Sequence, residues 1–519
     1  MYSRILTGSL YGLSGGPTWA EVDCENGLPA FSVVGLADQS VKEARERIRA
    51  ALENSGLRFP AKRITVNLTP ANRKKEGSHY DLPVAAGIIL CSKKDTDLSG
   101  AEDLSNGNAA CLGELTLDGR VNAVDGVLPM MMGLKKTGVN KFFIPEACLK
   151  EAMLVKDAEI YPVRSVVELS DHMTGMKQIK SVKGGSMTVV PKAADVPDFL
   201  DIRGQEVVKR AAQIAAAGMH GMLMVGPPGT GKTMIGKRIP GILPRLSYDE
   251  MLEVTQIYSA AGETGSGSPL VCERPFRAPH HSVTKAALIG GGGRPRPGEI
   301  SLAHEGVLFL DEIAEFPPYI LDLLRQPLED GFVVLNRLNY KVTFPSKFML
   351  VAAMNPCRCG YYGDPEKQCN CTETDRNRYT GRISGPLMDR IDIHVSVSRP
   401  RYGEINVDGP AGGVSSAQLR DSVVRAMDIQ KKRYADEGIK YNSQLGAKLL
   451  EKYCVPDAEG REKLRESFEK MHLSARGYHR VLKIARTIAD LQGSRDIGLL
   501  HITEALAFRF PADLFGDRF

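Results

Sequence analysis

Hydrophobic and polar positions follow an alternating pattern over residues 1–170 of the 519-residue chain. Short β-type runs occur at 30–34, 64–68 and 142–144, and helical stretches at 39–55 and 81–91. This alternation of short strands and helices predicts a mixed α+β domain. We therefore expect the N-terminal third of the chain to form a sheet with helices packed against it.

The end of this first domain is predicted from a capping signal and a change in composition. Ser165 and Glu168 have the spacing of a capping box, which predicts a short helix. Residues 171–199 then lose periodicity and gather Gly, Ser, Lys and Pro, including the segment KSVKGGS. Such composition is typical of connecting segments, so residues 171–199 are predicted to be a linker.

From residue 200 the pattern changes to strands that are apolar throughout. A helix is predicted at 206–217, and apolar strands are predicted at 222–225, 307–310 and 348–354. Strands without a polar face are typical of a parallel sheet that is covered on both faces. Residues 200–400 are therefore predicted to form an α/β domain.

The last part of the chain, residues 401–519, begins with a Gly- and Pro-containing loop. Sequence from 416 to 508 is mostly helical in its periodicity. We expect a helical C-terminal domain that contributes to the site of the preceding domain.

Composition excludes several classes of protein. Hydrophobic residues make up 43% and charged residues 25% of the chain, which is unlike collagenous, disordered or disulfide-rich proteins. The most apolar run, residues 84–91, is too short to cross a membrane, and the N-terminus lacks the apolar stretch of a signal peptide. We expect a cytoplasmic protein without membrane contact. The net charge of +5 neither supports nor excludes DNA as a partner.

A phosphate-binding loop is the most specific chemical motif. The segment GPPGTGKT lies between an apolar strand and a helix start and comprises Gly226, Pro227, Pro228, Gly229, Thr230, Gly231, Lys232 and Thr233. Backbone N–H groups of such a loop surround phosphates, the lysine adds a cation at the β and γ phosphates, and the hydroxyl of Thr233 can ligate Mg²⁺. ATP with Mg²⁺ is the predicted cofactor.

Polar residues follow the two later apolar strands. Asp311 and Glu312 end the run VLFLDE, and Asn355 ends the strand predicted at 348–354. Asp311 can hold Mg²⁺ and Glu312 can polarise the attacking water. Asn355 can bond the γ phosphate or that water, although an Asn-Pro turn is the alternative interpretation of this position.

Taken together, these motifs resemble an AAA+ ATPase of the magnesium-chelatase-like YifB/ComM family. The resemblance is carried by residues 202–233, 274–316, 352–365 and 473–491, which include the strings RPFRAPHHS, AAMNPCRCGYYGDP and LSARGYHR. It implies a P-loop AAA+ parallel-sheet core with a helical C-terminal lid domain of the magnesium-chelatase type. It also implies that Asn355 is sensor 1, Arg476 is sensor 2 and Arg390 is an arginine finger reaching a neighbouring subunit.

The resemblance implies assembly into a ring, with a hexamer as the expected form. An arginine supplied in trans would make hydrolysis depend on that assembly. The alternative for Arg390 is an ordinary ion pair with Asp389 or Asp392.

The N-terminal domain resembles the ribosomal-S5-like proteolytic domain of Lon over residues 113–145. The segment that carries the catalytic lysine in Lon reads DGVL here and ends in Leu128, which cannot activate a serine. Ser78 lies where a nucleophile would be sought, but proteolysis is the weakest enzymatic interpretation. A scaffold for assembly or substrate binding is expected instead.

Four cysteines form a cluster directly after Asn355, within an insertion predicted at 356–372. Cys357, Cys359, Cys369 and Cys371 have the spacing CxC, nine residues, CxC. Structural Zn²⁺ is the favoured interpretation; an iron–sulfur cluster and four reduced thiols are the alternatives. The insertion is expected to project from the ATPase core.

Basic and histidine residues suggest further sites. Residues 461–486 carry a local charge of +5, which fits either a nucleic-acid surface or solvated helix faces. Arg337, Lys341 and Lys347, ahead of the sensor strand, are the better candidates for DNA contacts. His280 and His281, with Arg294 and Arg296 nearby, have no third metal ligand at a recognisable spacing.

Three functions are compatible with these motifs. The first, which the family resemblance implies, is a DNA helicase or translocase that drives branch migration during recombination and natural transformation, acting on branched or forked DNA. The second is a chelatase-type subunit that remodels a protein partner for insertion of Mg²⁺ into a porphyrin. The third is a nucleotide-gated scaffold without productive turnover. The Lon-like domain and the cysteines argue against the second.

Overall fold

A computed structural model describes residues 1–36, 38–71, 74–92, 100–185, 196–264, 269–292, 295–337, 340–399, 413–470 and 473–509. The strands are β1 Tyr2–Tyr11, β2 Ser14–Glu25, β3 Ala30–Val34, β4 Arg63–Thr69, β5 Ala109–Cys111, β6 Glu114–Leu115, β7 Val121–Asn122, β8 Lys141–Pro145, β9 Glu159–Val163, β10 Val182–Lys183, β11 Met222–Val225, β12 Phe276–Arg277, β13 Gly290–Gly291, β14 Arg296–Pro297, β15 Val307–Leu310, β16 Phe332–Arg337, β17 Tyr340–Pro345, β18 Met349–Met354 and β19 Ile393–Ser396.

The α-helices are Gln39–Asn54, Asp81–Ser92, Glu102–Asn106, Val127–Lys135, Leu149–Ala152, Val166–Met173, Glu206–Gly218, Lys232–Ile242, Tyr248–Ala261, Lys285–Ile289, Glu299–Leu302, Pro318–Asp322, Arg325–Asp330, Glu373–Thr380, Gly385–Met388, Ser416–Arg433, Ala447–Tyr453, Ala458–Lys470, Ala475–Leu491 and Leu499–Ala507. Among these described helices, none combines the length and the apolar character that spanning a membrane requires.

The N-terminal region is built on a mixed sheet with the strand order β10-β9-β8-β5-β1-β2-β4-β3. Strands β1, β5, β8 and β9 run parallel, whereas β2 is antiparallel to both β1 and β4. One face packs against the helices Gln39–Asn54 and Asp81–Ser92, and the other packs against Val127–Lys135. The predicted mixed arrangement of strands and helices is therefore confirmed.

The boundary after this region differs from the prediction. The hydroxyl of Ser165 accepts the N–H of Glu168 at 3.2 Å, but the Glu168 carboxylate accepts the N–H of Arg164, so only half of a capping box forms. The helix Val166–Met173 and strand β10, which pairs with β9, both extend into the segment predicted as linker. The ordered N-terminal region thus continues past residue 170, and residues 186–195 of the predicted linker lie outside the described ranges.

A five-stranded sheet with the order β12-β15-β18-β11-β19 forms the second region. All of its paired strands are parallel, which confirms the sheet type expected from strands without a polar face. Side chains alternate between two cores: Met222 and Met224 lie in one, and Leu223 and Val225 lie in the other. The first core also contains residues of the C-terminal helices.

The C-terminal helices pack directly on the second region. The guanidinium of Arg420 donates to the carbonyl of Gly241 at 2.8 Å, and the Gln430 amide donates to the carbonyl of Ala217 at 2.9 Å. Because this contact also buries apolar side chains of the helix Ala475–Leu491, movement of the C-terminal helices is mechanically linked to the sheet.

The N-terminal region contacts the second region at several places, among them the helix Tyr248–Ala261, whose Ser259 hydroxyl donates to the Glu151 carboxylate. The hydroxyl of Tyr11, the last residue of β1, accepts the N–H of Lys341 at 2.8 Å, and Leu13 packs into the core beside the hairpin β16–β17. Elsewhere, Arg296 forms an ion pair with Asp125 at 3.0 Å. The N-terminal region therefore lies against the hairpin β16–β17, which precedes strand β18.

Candidate nucleotide-binding site

The phosphate-binding loop joins β11 to the helix Lys232–Ile242, as its sequence predicts. Gly229 and Gly231 have φ angles of +79° and +86°, which residues with a Cβ atom rarely adopt. Thr230 closes the turn by donating its hydroxyl to the carbonyl of Pro227 at 3.0 Å. This conformation leaves the backbone N–H groups free to surround an anion at the helix N-terminus.

Lys232 points into this loop. Its ammonium group donates to the carbonyls of Gly226 and Pro227 at 2.7 and 2.8 Å and to the Asn355 side-chain oxygen at 3.1 Å. Burial lowers the pKa of Lys232 to about 8, while the negative charges of Asp311 and Glu312 oppose that change. A γ phosphate arriving here would restore a strong preference for the charged ammonium.

A hydroxyl and a carboxylate lie together beside Lys232. The Thr233 hydroxyl donates to the Asp311 carboxylate at 2.6 Å. Two hard oxygen ligands in an exposed position, next to a phosphate cradle, fit the coordination that Mg²⁺ prefers. Glu312 follows with a φ of +50°, and its N–H donates to Asp311 at 3.0 Å. Such a conformation is uncommon for a residue with a side chain and is typical of functional sites.

The strand order explains why these residues meet. Strand β18 lies between β11 and β15 in the parallel sheet, so the carboxyl ends of all three strands share one edge. Asn355 follows β18, Asp311 follows β15 and the phosphate-binding loop follows β11. The sheet therefore brings together three motifs that are spread over more than a hundred residues of the chain.

Arg390 lies at the other edge of the sheet. Its carbonyl is close to Gly221, which precedes β11, whereas the phosphate-binding loop follows that strand. The guanidinium donates to Glu329 and to the carbonyl of Pro386. The ion pair anticipated with Asp389 or Asp392 is thus replaced by one with Glu329.

Arg476 lies near Arg390 and not beside the phosphate-binding loop. Its guanidinium is 3.7 Å from the Asp389 carboxylate, and it lines the same cavity of about 630 Å³ as Arg390, Lys347 and Arg480. The expectation that Arg476 completes the nucleotide site of its own chain therefore does not agree with the fold, because the helix that carries it packs at the amino edge of the sheet.

The cysteine insertion, called here the Cys loop (residues 356–372), was expected to project from the core. In the structure Gly360 lies against the phosphate-binding loop, where an added Cβ atom would be 2.8 Å from Pro228, whereas residues 365–368 are exposed. Its four sulfur atoms lie within 4.8 Å of one another, close enough for a single metal ion. These four residues are Cys357, Cys359, Cys369 and Cys371.

Basic side chains of the segment 461–486 include two that are buried among the C-terminal helices, Arg480 and Arg486, and four that are exposed, Arg461, Arg465, Lys470 and Arg476. Arg480 is buried and donates to Asp389 at 2.7 Å, and Arg486 is buried against Asp490. Arg465 pairs with Glu462 on the same helix. The charges of Arg480 and Arg486 therefore serve folding, which favours the structural alternative at these two buried positions only.

The other basic candidates separate into two groups. Arg337 ends β16 and Lys341 lies near the start of β17, so both flank the hairpin turn. Lys347 instead lines the cavity at the amino edge. The ring of His281 stacks near His280, which bonds Ser282 at 2.8 Å, and Arg294 lies outside the described residues.

Ser78 and Leu128 are the two residues of the N-terminal region that the resemblance to Lon singles out for nucleophilic chemistry. The Ser78 hydroxyl donates to Glu114, and Leu128 is fully buried in the helix Val127–Lys135. Leu128 packs in the apolar core of this region, and its side chain has no group that could accept or donate a proton.

Two contributors to the site had no usable sequence signal. Gly360 allows the Cys loop to approach Pro228, and its φ of +86° is visible only in the fold. The Tyr379 hydroxyl accepts the backbone N–H of Asn355, and burial raises the pKa of this tyrosine. Tyr379 lies on a helix of mainly polar residues, so no periodicity marked it.

Comparisons with known proteins cover nearly the whole chain. Family models match residues 20–148 (Subunit ChlI of Mg-chelatase), 198–405 (Magnesium chelatase, subunit ChlI) and 413–509 (Magnesium chelatase, subunit ChlI C-terminal).

Named relatives are also similar. Competence protein ComM of Haemophilus influenzae is 40% identical over 493 residues, covering 94% of this chain and 94% of that protein. YifB of Escherichia coli is 38% identical over 513 residues, covering 98% of this chain and 97% of that protein. The magnesium-chelatase 38 kDa subunit of Cereibacter sphaeroides is 25% identical over 340 residues, covering 61% of this chain and 92% of that protein.

Proposed function

Because the chain belongs to the YifB/ComM family of magnesium-chelatase-like AAA+ proteins, we propose that it is an ATP-hydrolysing ring motor acting on branched or forked DNA. The observation that carries the ATPase part is the convergence of Lys232, Thr233, Asp311 and Asn355 at one sheet edge. DNA as the substrate is supported by the relative named as a competence protein and by the basic hairpin.

The proposed chemistry is hydrolysis of the bond between the β and γ phosphates. When bound, Mg²⁺ would be held through Thr233 and Asp311 and would neutralise phosphate charge. Lys232 binds the β and γ phosphates, Asn355 orients the γ phosphate or the water, and Glu312 polarises that water. A structural Zn²⁺ held by the four cysteines completes the proposed cofactor set.

The separation of Arg390 from the phosphate-binding loop supports assembly. The four residues of β11 place the two edges of the sheet about 13 Å apart. Since Arg390 and Arg476 lie at the edge away from their own loop, we infer that each acts on a nucleotide held by another subunit. We propose a hexameric ring in which both arginines complete the neighbouring site and release their present partners, Glu329 and Asp389.

The family assignment and the observed strands and helices together suggest limits for three domains. We propose a Lon-like N-terminal domain that extends through β10, an AAA+ domain of residues 200–400 with the Cys loop as an insertion, and a helical lid domain from 401 onward. The N-terminal domain serves as a scaffold against the hairpin β16–β17, because Tyr11 bonds Lys341 there.

Subunit mixing tests the role of Arg390 directly. Glu312→Gln should bind ATP without hydrolysing it, and Arg390→Ala should also be inactive alone. A mixture of the two should regain turnover, since an intact loop of one chain meets an intact Arg390 of the other. Failure to regain turnover, in mixtures shown to co-assemble, would refute action in trans.

DNA dependence has a separate test. Turnover of the wild type should rise with forked and four-way DNA more than with linear duplex, and branch migration should be lost in Glu312→Gln. Lys341→Ala should weaken DNA binding and reduce its salt dependence, whereas Lys341→Arg should retain both. Turnover indifferent to any DNA would remove DNA from the proposal.

The chelatase-type function is favoured by one observation, the match to the 38 kDa magnesium-chelatase subunit. It predicts porphyrin metallation when the protein is mixed with the remaining chelatase subunits. A nucleotide-gated scaffold predicts ATP binding with negligible turnover under every condition above.

A further inference from the structure

The sulfur atoms of the Cys loop have the separations of a mononuclear metal site. Cys357 Sγ lies 3.3 Å from Cys359 Sγ and 3.7 Å from Cys369 Sγ, and the latter two are 3.5 Å apart. Tetrahedral Zn²⁺ with bonds of about 2.3 Å requires sulfur separations of about 3.8 Å. A four-iron cluster attaches each thiolate to a different iron and spreads the sulfurs farther apart.

Backbone N–H groups around the sulfurs support binding of thiolates. The N–H of Cys371 donates to Cys369 Sγ at 3.4 Å, and the N–H of Cys359 donates to Cys371 Sγ. Further donors to Cys357 and Cys359 are the amides of Gly360, Tyr361, Tyr362 and Asn370. Such donors partly neutralise the negative charge of four thiolates on one divalent ion.

The same loop contacts both parts of the phosphate-binding site. Cys357 is fully buried and is separated from Asn355 by Pro356 alone. Gly360 lies against Pro228, close enough that an added Cβ would be 2.8 Å from its ring. The N-terminal part of the loop, residues 356–360, is therefore held beside Asn355 and the phosphate-binding loop.

The helix Glu373–Thr380, which follows the last cysteine, makes a second connection. Arg376 donates to the carbonyl of Cys371 at 3.0 Å and stacks on the ring of Tyr362 at 4.3 Å. Tyr379, on the same helix, accepts the N–H of Asn355. Closure of the four cysteines on one ion would fix the start of this helix and, through it, the position of Asn355.

We propose that the Cys loop binds one Zn²⁺ ion and that the metal-loaded loop holds the phosphate-binding loop and Asn355 in place for ATP. The nucleotide part rests on the proposed function, but only on ATP binding and not on turnover or DNA. Gly360 and Tyr379 are positioning residues in this arrangement, because they act through Pro228 and Asn355.

Metal analysis of the purified full-length protein tests the first half. We expect one zinc per chain, and Co²⁺ substitution should give the visible absorption of a tetrahedral tetrathiolate site. Cys369→Ser with Cys371→Ser should lose the metal, whereas Cys272→Ser, outside the loop, should keep it. A metal-free protein that does not take up Zn²⁺, or several irons with sulfide per chain, would overturn the zinc assignment.

Binding of a fluorescent, non-hydrolysable ATP analogue in the presence of Mg²⁺ tests the second half. The double cysteine variant and Gly360→Ala should each bind the analogue about tenfold or more weakly, as when a supporting contact is removed. Gly360→Ala should keep its zinc, which separates the contact from metal loss. Circular dichroism and the melting temperature would show whether a variant has unfolded.

Zinc removal from the wild type by a chelator, with Mg²⁺ added back, gives the same comparison without mutation. Restored zinc should restore analogue binding. Normal analogue binding in zinc-free protein would refute the support role, even with the zinc assignment correct. If no preparation binds the analogue, the proposed ATP site itself fails, and so does the inference that depends on it.

Discussion

The pKa of Lys232 predicts how ATP binding depends on pH. Burial lowers this pKa from 10.5 to about 8, so the empty site disfavours the charged ammonium by about 3 kcal/mol. Bound phosphates require the charged form, and they are already fully ionised above pH 8. Binding must therefore take up a proton once the pH exceeds the pKa of the empty site.

The direction and size of the pH effect on ATP affinity follow from the linkage between ATP binding and protonation of Lys232. Affinity should be nearly constant up to about pH 8 and should then fall by about tenfold per pH unit, giving about tenfold weaker binding at pH 9 than at pH 7. Titration with a fluorescent ATP analogue at saturating Mg²⁺ measures this affinity at each pH.

Lys232→Ala is the matched control for this titration. It removes the titrating group, so binding should be weak and should change little between pH 7 and about pH 9. Constant affinity of the wild type across this interval would refute the argument that burial lowers the pKa of Lys232. An equal slope in Lys232→Ala would assign the titration to another group.

Three further predictions concern stability and contacts. Phe309 is buried against the helix of the phosphate-binding loop, so Phe309→Ala should lower the free energy of unfolding in urea by about 3–5 kcal/mol, and a loss under about 1 kcal/mol would contradict this. Burial, aided by nearby arginines, lowers the pKa of His394 to about 3, so the unfolded chain binds a proton that the folded chain does not. Stability should fall by about 1.4 kcal/mol per pH unit as the pH drops below about 6.5, and His394→Gln should remove this part of the slope. Tyr11→Phe should weaken docking of the N-terminal region by about 1 kcal/mol and speed hydrogen exchange at the Lys341 amide; unchanged exchange would show that the contact does not hold the hairpin.

Local features of the fold were predictable because they depend on neighbouring residues. Apolar runs gave the strands β11, β15 and β18 within one residue of their observed limits, and the glycines of GPPGTGKT specify a turn that few other residues allow. The parallel sheet also followed, since strands without a polar face must be covered on both sides. The half-formed capping box at Ser165 shows the limit of such local rules, because the Glu168 carboxylate accepts the N–H of Arg164, one residue before the predicted cap.

What the sequence determined by itself is the set of chemical groups and the strand that carries each one. Which groups meet was decided by the tertiary structure, through the order of strands in the sheet. Placing β18 between β11 and β15 brings Asn355 to Lys232, whereas Arg390 and Arg476 fall at the opposite edge. The Cys loop was predicted to point away and instead contacts Pro228, because Gly360 leaves room for that approach. Periodicity records which side of an element is buried, but contacts between distant segments depend on packing that no single segment encodes.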